Sequence, residues 1–147
     1  MFRATDFSET AACAVEHAVV VAKAFWATLH VLHVLEVEIP DALEGLNYLP
    51  LNYFEEIEKR APEQLKKVIA HEIRESQPVN LVIRRGVPFL EIIRYARDQK
   101  IDLIVMGTHG RGAVAHALMG SVAEKVVRKS PCPVLTIRHP QHQFVMP

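Results

Sequence analysis

Apolar positions along the chain alternate between short dense runs and stripes at three- and four-residue spacing. The first run, "FRAT" (2–5), predicts a short strand. Asp6 and Glu9 then stand at the D-x-x-E spacing of a capping box, with Ser8 as a rival cap. The stripe Ala11, Val15, Ala18, Ala22, Phe25 predicts a helix buried on that face, its alanines allowing close approach to a sheet. "TLHVLHV" (28–34) predicts a second strand, and Pro40, Gly45, Asn47 and Pro50 make 35–50 a long loop. From about Leu51 to Ser76 the pattern is helical, with Phe54, Ile57, Ala61, Leu65 and Val68 on one face. Pro62 either kinks that helix or opens a second one.

"VNLVIR" (79–84) predicts the third strand. Gly86 and Pro88 mark the turn into a helix that buries Phe89, Ile92 or Ile93, and Ala96. "IDLIVM" (101–106) is apolar almost throughout, as a strand covered on both faces is. A helix through Val122, Val126 and Val127 runs to Pro131, and "PVLTIR" (133–138) predicts the last strand. The tail 139–147 has no periodicity. Strands alternating with helices give an α/β chain with a parallel sheet and right-handed crossovers. No internal repeat or linker divides it, so one domain is expected over 1–147.

The charge pattern excludes more than it suggests. Seventeen Lys and Arg balance seventeen Asp and Glu in 147 residues, so no nucleic-acid partner is predicted. No apolar run is long enough to span a membrane, and no leader pattern stands at the start, so a cytoplasmic protein is expected. Cys13 and Cys132 form no C-x-x-C pair and read as reduced and structural. His30 and His33, three apart on a strand, face opposite sides and cannot chelate together, and no dedicated metal site is predicted.

Four of the six glycines fall in "MGTHGRGAVAHALMGS" (106–121). The segment begins at the carboxyl end of a strand, where open parallel sheets bind ligands. Glycine there permits positive φ and lets backbone N–H groups approach an anion. Ser121 and Glu124 spell a further capping box, so a helix N-terminus, which suits phosphate, is expected at Ser121. Two sets of N–H donors follow, around Gly107–Gly110 and around Gly120–Val122, with His109 and Arg111 able to add charge. The alternative is that these are turn and cap glycines, which is the preferred reading for Gly112 alone. There is no P-loop. "GRGAVA" (110–115) matches the dinucleotide fingerprint, but it follows the fourth strand and has no acidic residue in the ribose position. No nucleophile–base arrangement is readable.

Gly107-x-x-Gly110, nine residues, then Gly120-Ser121 resembles the nucleotide-binding signature of the universal stress protein family, in its ATP-binding branch. "TDFSETA", "LHVLHV", "RGVP" and "SPCPVLTIR" also resemble that family, so the likeness covers nearly the whole chain. It implies a Rossmann-like sandwich, a five-stranded parallel sheet of order 3-2-1-4-5 with helices on both faces. It implies ATP, with magnesium or manganese, as the ligand. Ala4, Thr5 and Asp6 would then face the adenine, and Val34 the base or ribose. Met106 and Gly107 would lie beside the ribose and phosphates, which Gly110, Gly120, Ser121 and Val122 would hold. The resemblance further implies a homodimer through the last strand (134–137), with the tail 139–147 either dimer-associated or flexible. The expected role is a nucleotide-dependent stress sensor or regulator with at most slow ATP hydrolysis. The rival is an interaction module of the same family that binds no nucleotide. Arg3 departs from the family pattern, which has an apolar residue there.

Overall fold

The computed structural model describes residues 2–5, 9–36, 65, 78–108 and 119–138, with side chains from Cys13 onward. Five strands, β1 (Phe2–Thr5), β2 (Leu29–Leu35), β3 (Val79–Arg85), β4 (Ile104–Gly107) and β5 (Val134–Ile137), form one sheet in the order β3-β2-β1-β4-β5. All four pairings are parallel. The chain passes from β1 outward through β2 to β3, then returns to the other side of β1 for β4 and β5. Three helices are described: α1 (Glu9–Ala24), α2 (Pro88–Asp98) and α3 (Ser121–Lys129).

The period-two alternation of the strands divides the interior into two layers. On one face, Ala14, Val15, Ala18, Val19 and Ala22 of α1 pack with Leu29, Val31 and Val105, and Leu65 joins them. On the other, Leu32, Ile104 and Met106 pack with Ile92, Tyr95 and Ala96 of α2 and with Ala123 and Val126 of α3. Neighbours such as Val31 and Leu32, or Ile104 and Val105, thus go to opposite layers. A strand so covered must be apolar at every position, and Ile104, Val105 and Met106 are all buried. Ala14, Ala18 and Ala22 have no exposed surface, because a methyl at each turn lets the α1 backbone lie close to the sheet.

Several boundaries differ from the sequence expectation for identifiable reasons. β4 starts at Ile104 because the Ile101 N–H donates to Ala96 O at 2.9 Å, finishing α2 in place of a ladder bond. β5 starts at Val134 because Pro133 has no N–H, although its carbonyl accepts from Ile104. Phe25, expected on the buried face of α1, is 77% exposed because the helix ends at Ala24. Trp26 follows at 97% exposed with φ 52°. Val127, on the helix expected there, is 45% exposed. Val122, Ala123 and Val126 define the inward stripe of α3, and Val127 falls at its margin. In α2, Ile92 and Ala96 are buried, and so is Tyr95, which the sequence reading did not include. Among the described residues, no helix is long and apolar enough to cross a membrane. The helical region expected over 51–76 and the tail 139–147 lie outside the described residues, Leu65 excepted.

Candidate functional site

The strand order reverses at β1, which lies between β2 and β4. Parallel sheets open a crevice above the strand ends at such a point. β1 pairs with β4 as Phe2 with Ile104 and Arg3 with Val105. Continuing that register brings Thr5 level with Gly107, at the carboxyl ends of both strands. Val34 lies near the end of β2, in register with Arg84. Five of the nominated residues, Ala4, Thr5, Val34, Met106 and Gly107, therefore belong to three adjacent strand ends.

Gly120, Ser121 and Val122 reach the same region through one backbone contact. The chain leaving β4 is held to β5 by the Thr108 N–H, which donates to Ile137 O at 2.9 Å. The carbonyl of Thr108 then accepts the Gly120 N–H at 2.7 Å. The two ends of the glycine segment meet there, so the first turn of α3 starts beside the end of β4. Met119 and Val122 anchor this turn by packing against the α2–α3 layer. Thr108 itself is 3% exposed, a buried polar residue where the apolar strand stops. The sequence reading did not single it out; the only signal was its place directly after the run ending in Gly107.

The local chemistry differs from expectation in three ways. First, α3 begins at Ser121, but its N-cap is Gly120, with no side-chain cap bond. Ser121 is thus the first helical residue, and Glu124 is one position too late for a capping box. Glu124 instead pairs with Arg128 at 3.3 Å. Second, the Gly120 N–H is already bonded, so it is no free donor. The N–H groups of Ser121, Val122 and Ala123 take its place, as the first turn of a helix leaves them without intrahelical partners. Third, neither Gly107 nor Gly120 has positive φ; Gly86, at φ 142°, is the only described glycine that does. Gly120 sits at φ −69°, ψ 152°, a conformation open to any residue. Its missing side chain therefore matters for the space before the helix end and not for the backbone angle.

Side-chain burial also narrows the roles. Met106 is 5% exposed and points into the α2–α3 layer, so it can offer only backbone to the crevice. Val34 is half-buried in the same layer. Ser121 is exposed. Asp6, His109, Gly110 and Arg111 lie outside the described residues. Among the described residues no cluster of three or more His, Cys, Asp or Glu could hold a metal ion.

A second polar group, unforeseen in the sequence, lies elsewhere. His30 is near the start of β2, away from the strand ends that form the crevice, with Asn80 of β3 beside it and Tyr95 of α2 above. Asn80 Nδ2 donates to His30 Nε2 at 3.4 Å, which leaves His30 Nδ1–H to donate to Tyr95 Oη at 2.7 Å. Arg84 stacks on the Tyr95 ring at 5.7 Å. Burial, then the positive N-terminal amine, lowers the His30 pKa; burial raises that of Tyr95, against a smaller opposing effect of Arg84.

Comparison with known proteins places this geometry in context. The sequence profile of the "Universal stress protein family" matches residues 3–138. The chain is 34% identical over 139 residues to universal stress protein MJ0531 of Methanocaldococcus jannaschii, covering 95% of this chain and 81% of that protein. The solved structure of protein MJ0577, from the same organism, superposes with a TM-score of 0.80 at 28% identity, over 95% of this chain and 96% of the other. The structure of a universal stress protein from Archaeoglobus fulgidus in complex with dAMP superposes with a TM-score of 0.65. At 24% identity over 92% of this chain and 94% of the other, that last likeness is one of fold.

Proposed function

The chain belongs to the universal stress protein family, and from that premise we propose that it binds ATP in the crevice above β1 and β4 and acts as a nucleotide-dependent regulator. The observation that carries this reading is the bond from Gly120 N–H to Thr108 O. It sets an uncapped helix N-terminus against the strand ends at the reversal of strand order. The N–H groups of Ser121, Val122 and Ala123 suit phosphate oxygens, and the bare Cα of Gly120 leaves them room. Gly107 and the backbone of Met106 would border the ribose and phosphates, and Gly110 would add a phosphate contact. Ala4, Thr5 and Asp6 would take the adenine, with Val34 against the base or ribose. His109 and Arg111 would add charge at the phosphates, with magnesium or manganese carried by them, and hydrolysis would be slow at most. An adenine nucleotide in the related Archaeoglobus fulgidus complex agrees with the ligand class.

The test is direct. Nucleotide released from the denatured, purified protein is identified by ion-exchange chromatography. The stripped protein is then titrated calorimetrically with ATP and GTP in the presence of magnesium. ATP-selective heat, absent from Gly120→Val, is the expected result. No nucleotide and no heat would overturn the reading in favour of an interaction module without nucleotide.

A further inference from the structure

The overall neutrality of the chain conceals a polarity. Residues 1–78 hold seven Lys and Arg against thirteen Asp and Glu, whereas residues 79–147 hold ten against four. The basic half includes both α2 and α3, which pack side by side over one face of the sheet. Every carboxylate on these two helices is matched to an arginine: Glu91 to Arg94 at 2.8 Å, Asp98 to Arg97 at 3.1 Å, and Glu124 to Arg128 at 3.3 Å. Two cations are left over. Lys125 and Lys129, one helical turn apart, have no carboxylate partner among the described residues. Both ammonium groups instead stand over the ring of Phe89, at 5.0 and 5.7 Å from its centroid. Phe89 is anchored in the layer beneath. Exposed apolar surface stands next to Phe89, from Leu90 on α2.

We propose that the α2–α3 face is a docking surface for an acidic protein segment, one presenting two carboxylates around an apolar residue. A cation–π contact fixes each ammonium group in place yet leaves its charge unneutralised, so a carboxylate can be added without displacing a partner. Phe89 fixes the spacing of the two charges, and Leu90, next to it on α2, supplies apolar contact. A nucleic acid fits less well. The aromatic ring on which a base would stack is already covered by the two lysines, and the surplus charge of α2 and α3 themselves is confined to a single helix turn. This inference does not depend on nucleotide binding, since neither lysine belongs to the crevice.

The probe is a synthetic helical peptide with Glu four residues apart and Leu between them, titrated at low salt into the isotope-labelled full chain. Amide shifts confined to α2 and α3 are expected, weakening as salt is added. Lys125→Glu/Lys129→Glu should lower the affinity by roughly fivefold to tenfold. Lys125→Gln/Lys129→Gln, which adds no new charge at the helix end, should give a smaller loss in the same direction. Lys23→Glu, on the opposite layer, should change nothing. Equal affinity of parent and both double variants would overturn the proposal, as would shifts mapping elsewhere. Preference of the same face for a single-stranded oligonucleotide, an anionic vesicle, or a second copy of the chain would also overturn it.

Discussion

His30 shows how one half-buried side chain links structure to pH. Its two ring nitrogens are both engaged, by Asn80 and by Tyr95, in an arrangement that suits the neutral ring. The folded protein therefore takes up this proton less readily than the unfolded chain, whose value is near the ordinary 6.5. A lowered folded pKa means that the stabilising contribution is complete above about pH 6.5 and declines as pH falls from there through the folded value. His30→Gln should flatten that part of the pH–stability curve, read as the difference between parent and variant melts from about pH 7.5 to 5. An unchanged acid limb would remove His30 from the account. Tyr95→Phe should cost about 1 kcal/mol, the net worth of one hydrogen bond. Gly120 raises a separate question, because its backbone angles are ordinary. Gly120→Val should fold with a loss of about 1 kcal/mol, for valine is a poor N-cap. Loss of ATP binding from such a folded variant would then report on the space before α3. The glycine spacing in the sequence pointed to this position, but not to Thr108, whose carbonyl fixes it; a backbone acceptor leaves no mark in residue type.

At the scale of elements, two helices end without the glycine that such ends favour. After α1, Trp26 N–H donates to Lys23 O at 3.3 Å and Ala27 N–H to Ala22 O at 2.9 Å. After α2, Lys100 N–H donates to Arg97 O at 3.2 Å and Ile101 N–H to Ala96 O at 2.9 Å. Both are Schellman motifs, whose left-handed position is taken here by Trp26 at φ 52° and Lys100 at φ 50°. The left-handed conformation costs a side-chain-bearing residue roughly 1–2 kcal/mol, partly offset by the greater freedom glycine has when unfolded. Trp26→Gly and Lys100→Gly should each stabilise by about 0.5–1 kcal/mol, raising the melting temperature by roughly 2–4 °C for a chain of this size. Circular dichroism is the right readout, because Trp26 is the only tryptophan and is already 97% exposed when folded. Neither helix end carried the glycine signal, and Phe25 was misread for that reason: its spacing continued a stripe that the αL turn had already stopped. The start of α2 was clearer. Pro88 at a first position is a covalent signal that does not depend on tertiary context, whereas the start of α3 at Ser121 was read from a capping box that does not form.

At the scale of the whole molecule, the sheet leaves one consequence open at its margin. Alternation of strand and helix was readable because each strand must be apolar on the faces it buries. The alanine face of α1 was readable because only small residues let a helix lie that close. The sites where strands begin were less so, since Ile101 is as apolar as Ile104 yet belongs to a helix cap. Strand order comes from how the layers close in space, and no single run of residues carries it. With β4 on one side, β5 is the edge of the described sheet, and its outer row of backbone groups has no strand beside it there. Its burial is partial, and Leu135 is 37% exposed. A short apolar edge of this kind is a template for pairing with another strand. The family resemblance implies that β5 of a second copy pairs with it, which would cover Leu135. Leu135→Lys places a charge on that edge without altering the β4–β5 register. The parent should sediment as a dimer and the variant as a monomer, both folded by circular dichroism. A parent that remains monomeric at micromolar concentration, or a variant that remains dimeric, would put the contact elsewhere on the molecule.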